Sequence, residues 1–123
     1  MPESIRIEEI GDNRVLFFAE DGPLLSAPSD TNDFLGDAMG QGATMAVIPL
    51  SRLSPDFLKL STRLAGEVIQ KFVNYRVRLV ILGDVSERAG QSGALRDFIY
   101  ESNNGRSVWF LPDEGVLRRK LAG

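Results

Sequence analysis

The sequence predicts a single α/β domain covering residues 1–123, with a mixed, mostly parallel five-stranded sheet and helices in the order ββαβαβαβα. Three observations carry that expectation. Two short apolar runs near the N-terminus are separated only by Gly11-Asp12-Asn13, a turn signal that makes them an antiparallel hairpin. Beyond residue 40, apolar runs of strand length alternate with stretches of helical spacing, so the later strands are parallel and joined by right-handed crossovers. The stretch Leu58 to Asp84 reads as an amphipathic helix passing almost directly into a strand that stops at Gly83-Asp84.

Composition narrows the function. A chain of 123 residues, 43% apolar and 25% charged, is one globular domain with a real core. It contains no cysteine and no histidine, which removes disulfides, thiolate nucleophiles, the commonest general base and the commonest zinc ligand. Chemistry near neutral pH would fall to a carboxylate, lysine or tyrosine with a shifted pKa, so the expectation leans away from an enzyme. No motif asks for a cofactor or a metal. A net charge of -3 argues against a nucleic-acid partner. No apolar run approaches the ~18 residues of a membrane span, and the acidic, alternating start is unlike a signal peptide. The expected location is the cytoplasm.

Residues 4–9 alternate apolar and polar, as a half-exposed edge strand does, and Arg14 to Ala19 forms a second strand covered on both faces. Asp21-Gly22-Pro23 opens a loop, and a first helix is expected from Ser29 or Asp30, either of which suits the N-cap. Phe34, Leu35, Ala38 and Met39 share its inner face, and Gly40-Gln41-Gly42 stops it. Gly36, Gly40 and Gly42 close a helix before a strand, the reverse of a nucleotide-binding glycine loop. Thr44 to Leu50 is the third strand, with Pro49 at its end.

Ser54 as N-cap, Pro55 in the first helical position and Asp56 near the positive dipole end predict a long helix from Pro55 to about Tyr75. Phe57, Leu60, Leu64, Ala65, Val68, Ile69, Phe72 and Val73 fall on its apolar arc. Ser61 falls within that arc, as a small core residue bonded to a preceding carbonyl. Arg63, Glu67, Gln70 and Asn74 lie opposite. Arg78 to Gly83 is a central fourth strand, Asp84 to Gly93 a polar loop, and Ala94 to Asn103 a helix capped by Asn103-Asn104-Gly105. Ser107 to Leu111 is the fifth strand, with Trp109 and Phe110 facing opposite sides. Pro112-Asp113-Glu114 starts a last helix that ends on Arg118-Arg119-Lys120.

Ligands of such sheets bind beyond the carboxyl ends of the parallel strands. The loops after strands three and four bring Ser51, Arg52, Ser54, Asp56, Asp84, Ser86 and Arg88 to one edge, with a helix N-terminus among them. Phosphorylation of a serine there, or a small anion on Arg52 or Arg88, are two functional readings. The third is structural: Ser54 caps a helix, and Asp84 and Ser86 close a turn. No GxSxG elbow is present.

The run LAGEVIQKFVNYRVRLVILGDVS, with ALRDFIYESNNG and SVWFLPDEGV, resembles an uncharacterised bacterial family classed as a domain of unknown function. That resemblance implies no established activity, cofactor or catalytic residue. The order of elements also looks like the STAS domain of anti-sigma factor antagonists, in which a serine after a strand and at a helix start is phosphorylated. Leu50 to Asp56 holds the equivalent place, without the usual Asp-Ser-Ser-Gly run. The STAS-like reading makes the chain a protein-interaction or regulatory module whose partner is another protein or a second copy of itself. The alternative is a small hydrolase or transferase with a Ser/Asp/Arg site at the same edge.

Overall fold

The computed structural model describes residues 5–122. Five strands form one sheet in the order β1-β2-β3-β4-β5. They are β1 (Ile5–Ile10), β2 (Asn13–Phe18), β3 (Met45–Pro49), β4 (Arg78–Leu82) and β5 (Val108–Leu111). The first pair is antiparallel and the other three are parallel, so the expected α/β class and mixed sheet are found. Residue 4, expected to begin the first strand, lies outside the described residues.

Each parallel strand is added beside the one before it. Crossovers of one hand that always step the same way must lie on one face of the sheet. α1 (Thr31–Gly40), α2 (Leu64–Asn74) and α4 (Gly93–Asn104) do so. They bury Phe34, Ala65, Val68, Phe72 and Leu95 against Leu16, Ile48, Leu79, Ile81 and Phe110. The other face has one cover, α5 (Glu114–Ala122), which packs Leu117 against Val15, Phe17, Met45, Val80 and Trp109. Burying a side chain such as Phe72 completely contributes roughly 1.5–3 kcal/mol. Trp109 and Phe110 fall on opposite faces, as strand alternation requires.

A network of four ion pairs joins α5 to β1. Arg6 bonds to Glu8 and Glu114, and Arg118 bonds to Glu8 and Glu114. Both guanidiniums sit over the Phe17 ring, at 4.1 and 5.9 Å from its centroid. At the far edge, the Asn103 amide closes a two-way bond with Phe110. Its Nδ2 donates to the Phe110 carbonyl at 3.1 Å and its Oδ1 accepts from the Phe110 N–H at 2.7 Å. The outer side of β5 is therefore not left open for another strand at that position.

Several expectations are corrected. The long helix from Pro55 to Tyr75 does not exist as one element. Pro55–Leu58 and Leu60–Thr62 are 3-10 turns, Lys59 between them is extended, and Arg63 takes a left-handed φ of 65° before α2 begins at Leu64. Thr62 explains the break. Its Oγ1 lies 2.8 Å from the carbonyls of both Asp56 and Lys59 and accepts from the Leu64 N–H at 3.2 Å, offering the backbone an alternative to the helical ladder. Turns of three residues bring Phe57 and Leu60 to the core side almost as a helix would, so the apolar spacing could not separate the two cases.

Ser61, placed on an exposed turn, is not in the core, and Val73 is 41% exposed despite its position on the predicted arc. Met39 is likewise outward. Asp30 is the N-cap residue of α1, one of the two expected starts, but it makes no side-chain capping bond there, because Pro28–Asp30 is itself a 3-10 turn. The Asp30 carboxylate instead accepts the N–H groups of Ser26 and Ala27, each at 2.9 Å. The polar loop Asp84 to Gly93 contains the short helix α3 (Ser86–Gln91).

Candidate functional site

The carboxyl ends of the parallel strands form a cleft of about 540 Å³. Strand alternation sends Phe17, Val47 and Leu82 to the α5 face, where they make its floor. Ile5, Pro49 and Pro112 stand around them, and Arg6, Glu20, Asp113 and Glu114 supply the polar rim. The register of the hairpin pairs Arg6 with Phe17, which places the guanidinium over the floor. Asp113 is fixed because its Oδ1 accepts the Val116 N–H at 2.9 Å, a capping bond at the start of α5.

Gly83 shapes the opening. Its φ of 154° is a conformation glycine adopts freely, and a Cβ there would come within 2.5 Å of the Leu50 Cβ. The chain can therefore leave β4 close against the turn that follows β3. With Arg6 held by Glu8 and Glu114, the remaining charges at this edge are mostly acidic: Glu20 and Asp113 on the rim, with Asp21 and Asp84 next to lining residues in the chain.

None of the seven candidate residues lines this cleft. Ser51, Arg52 and Ser54 join the turn after β3 to the extended segment 19–26. Ser51 Oγ donates to the Glu20 carbonyl at 2.8 Å, and Arg52 donates from Nε to Pro23 O at 2.9 Å and from Nη1 to Ala19 O at 3.0 Å. Backbone bonds run between the same segments, from Leu25 to Arg52 and from Ser54 to Leu25. Arg52 is 6% exposed, lies 5.1 Å from the Phe34 ring centroid and packs beneath Gly22. Burial lowers its pKa from the ordinary arginine value, with Asp21 and Asp37 pulling the other way. It borders a second hollow of about 210 Å³ together with Asp30, Asp33 and Asp37.

Ser54 Oγ is buried without a hydrogen-bond partner, and Asp56 sits on an exposed turn. The remaining candidates group separately. The Asp84 carboxylate accepts the Ser86 hydroxyl at 2.6 Å and the Ser86 N–H at 2.9 Å, which holds its pKa below the usual carboxylate value. Arg88 donates to the Pro55 carbonyl at 3.1 Å, tying α3 to the turn that carries Asp56. α2 starts eight residues after Asp56, so its N-terminus is not the expected anion site among these side chains.

A family model covers the elements from β2 onward and most of the cleft lining. The chain belongs to the DUF4180 family. That domain of unknown function matches residues 10–121. No curated protein and no solved structure matches the chain. In this DUF4180 domain, the rim residues Glu20, Asp113 and Glu114 fall inside the matched span and Arg6 falls before it. The sequence did contain a signal for the missed rim. A two-residue hairpin connection fixes the pairing of Ile10 with Asn13, and counting back four residues puts Arg6 opposite Phe17.

Proposed function

We propose that this DUF4180 domain is a small protein-interaction or regulatory module. It would receive a segment of another protein, with apolar side chains flanked by lysine or arginine, in the cleft beyond β2, β3 and β4. The observation that carries this reading is the pairing of an apolar floor (Phe17, Val47 and Leu82) with a rim whose charges outside the Arg6–Glu114 ion pair are the acidic Glu20 and Asp113. A volume of about 540 Å³ lies within the ~300–1,000 Å³ of ordinary ligand sites, enough for one or two side chains of a docked segment. The STAS-like description of the fold belongs to the same proposal. It rests on the order of elements, with an antiparallel first strand followed by three parallel additions on one side.

The serine and arginine side chains of the edge support docking more than group transfer. Ser51, Arg52 and Arg88 bond to backbone carbonyls, and Ser86 bonds to Asp84, so each has a structural task. Phosphorylation within this reading favours Ser51 or Ser86, which are exposed, over Ser54, whose hydroxyl is buried.

Selection of displayed peptides on the folded domain tests the proposal. Glu20→Lys is the informative variant, because the Glu20 side chain makes no hydrogen bond among the described residues. The expected result is enrichment of basic, apolar peptides that Glu20→Lys no longer retains. Peptides that bind Glu20→Lys as well as the parent would place docking elsewhere.

A further inference from the structure

The opposite end of the sheet carries a cluster of charges of the other sign. Where β4 and β5 begin, Arg76, Arg78 and Arg106 line a hollow of about 210 Å³ together with Val73, Val77 and Ser107. Among the described residues, the ion pairs involve Arg6, Arg14 and Arg118, and none reaches these three arginines.

Arg78 is held in place for presentation. Its guanidinium stacks 4.2 Å from the Trp109 ring centroid, and its Nε donates to the Arg106 carbonyl at 2.9 Å. That bond uses the Nε–H and leaves the two terminal nitrogens without a hydrogen-bond partner among the described residues. Burial lowers the pKa of Arg78, and the charge of Arg106 adds to the effect. Two like charges are thus kept close at a partly dehydrated site. Lys120 adds a fourth cation nearby, with its Nζ 4.7 Å from the same Trp109 ring. Arg76 contributes from a left-handed backbone position, φ 60°, which costs energy for any residue but glycine. Backbone strain and unrelieved repulsion at one place are features of sites that await an oppositely charged ligand.

We propose that the hollow formed by Arg76, Arg78 and Arg106 binds the phosphoryl group of a small phosphate or diphosphate ester. Three facts select this ligand. Arginine forks pair bidentately with phosphoryl as with carboxylate oxygens, and three of them around one hollow can share the several oxygens of a tetrahedral group. A volume of about 210 Å³ falls below the ~300 Å³ lower limit of drug-sized pockets, so it admits the charged group and leaves the rest of the molecule outside. The net charge of -3 opposes an extended polyanion such as nucleic acid, whereas a small anion meets only the local field.

Isothermal titration of the full chain with inorganic pyrophosphate tests this, with citrate as a polycarboxylate of comparable charge and a phosphorylated peptide as a macromolecular source of the same group. Pyrophosphate should bind saturably at millimolar concentration or below, on the order of tenfold more tightly than citrate, because one phosphoryl group presents three oxygens to the three arginines where a carboxylate presents two. Arg106→Gln and Arg76→Gly should each weaken it by about 5–10-fold, the worth of one charge-assisted contact. Arg76→Gly suits the left-handed backbone and keeps the domain folded, so a loss of binding there cannot come from unfolding. Equal affinity for citrate and pyrophosphate would overturn the phosphoryl assignment. So would absence of saturable heat at ~1 mM, or affinity unchanged in both variants. Tighter binding of the phosphopeptide than of pyrophosphate would overturn the assignment to a small ester.

Discussion

The two ends of this sheet are built oppositely, although the same strands run through both. The carboxyl end has an apolar floor, an acidic rim and an arginine, Arg52, sealed inside by backbone carbonyls. The amino end has three arginines around a small hollow and no carboxylate paired with them among the described residues. Backbone conformation differs in the same way. Gly83 uses a positive φ where nothing larger fits, while Arg76 holds a positive φ with open solvent beside it. At one end an unusual conformation allows close packing. At the other it positions a charge. A modest net charge can therefore hide a strongly divided one.

Substitutions at the two positive-φ positions should break this symmetry in opposite directions. Gly83→Val should produce the largest effect, a loss of about 2–3 kcal/mol in urea unfolding, because a Cβ would meet Leu50 at 2.5 Å in a conformation branched residues resist. Arg52→Ala comes next. It leaves the Ala19 and Pro23 carbonyls without their donor and should cost roughly 2 kcal/mol, with accelerated proteolysis within residues 19–26. Arg76→Gly should instead raise stability, by about 0.5 kcal/mol, as the left-handed strain is relieved.

Much of this architecture was legible because the signals were local and redundant. Alternation in β1, the Gly11-Asp12 turn and the unbroken apolar runs of β3 and β4 each specify the strand they occupy. The segment from Pro55 to Arg63 was not legible as it stands. Its proline, acidic first turn and apolar spacing agree with a helix, and only the Thr62 hydroxyl and the reversed φ of Arg63 decide for turns. The site was less legible than the fold for a related reason. Polar residues in loops after strands drew attention to Ser51, Arg52 and Asp84, which satisfy nearby backbone or one another. The cleft is made by residues from β1 to β4 and the start of α5, and the hollow by residues at the starts of two strands. Neither grouping is contiguous in sequence.

Smaller effects refine the comparison. Removing Arg118 dismantles one half of the network that joins β1 to α5, and both partners are partly exposed. Arg118→Ala should therefore cost only about 0.5 kcal/mol in low salt and less in high salt. Asp84 should give the smallest signal. Its folded pKa lies below the ordinary value of about 3.9, so its contribution is complete above that pH and disappears as pH falls through the lower, folded value. Ser86→Ala should move the carboxyl titration, followed by carbon-detected NMR, back up toward the ordinary value.

Backbone amide shifts from one NMR sample would test the division between the two ends most directly. Pyrophosphate should perturb Arg76 to Arg78 and Arg106 to Ser107, and a lysine-containing apolar peptide should perturb Ala19 to Glu20, Leu82 to Gly83 and Asp113 to Glu114. Overlapping perturbations, or both ligands acting at one end, would contradict the account.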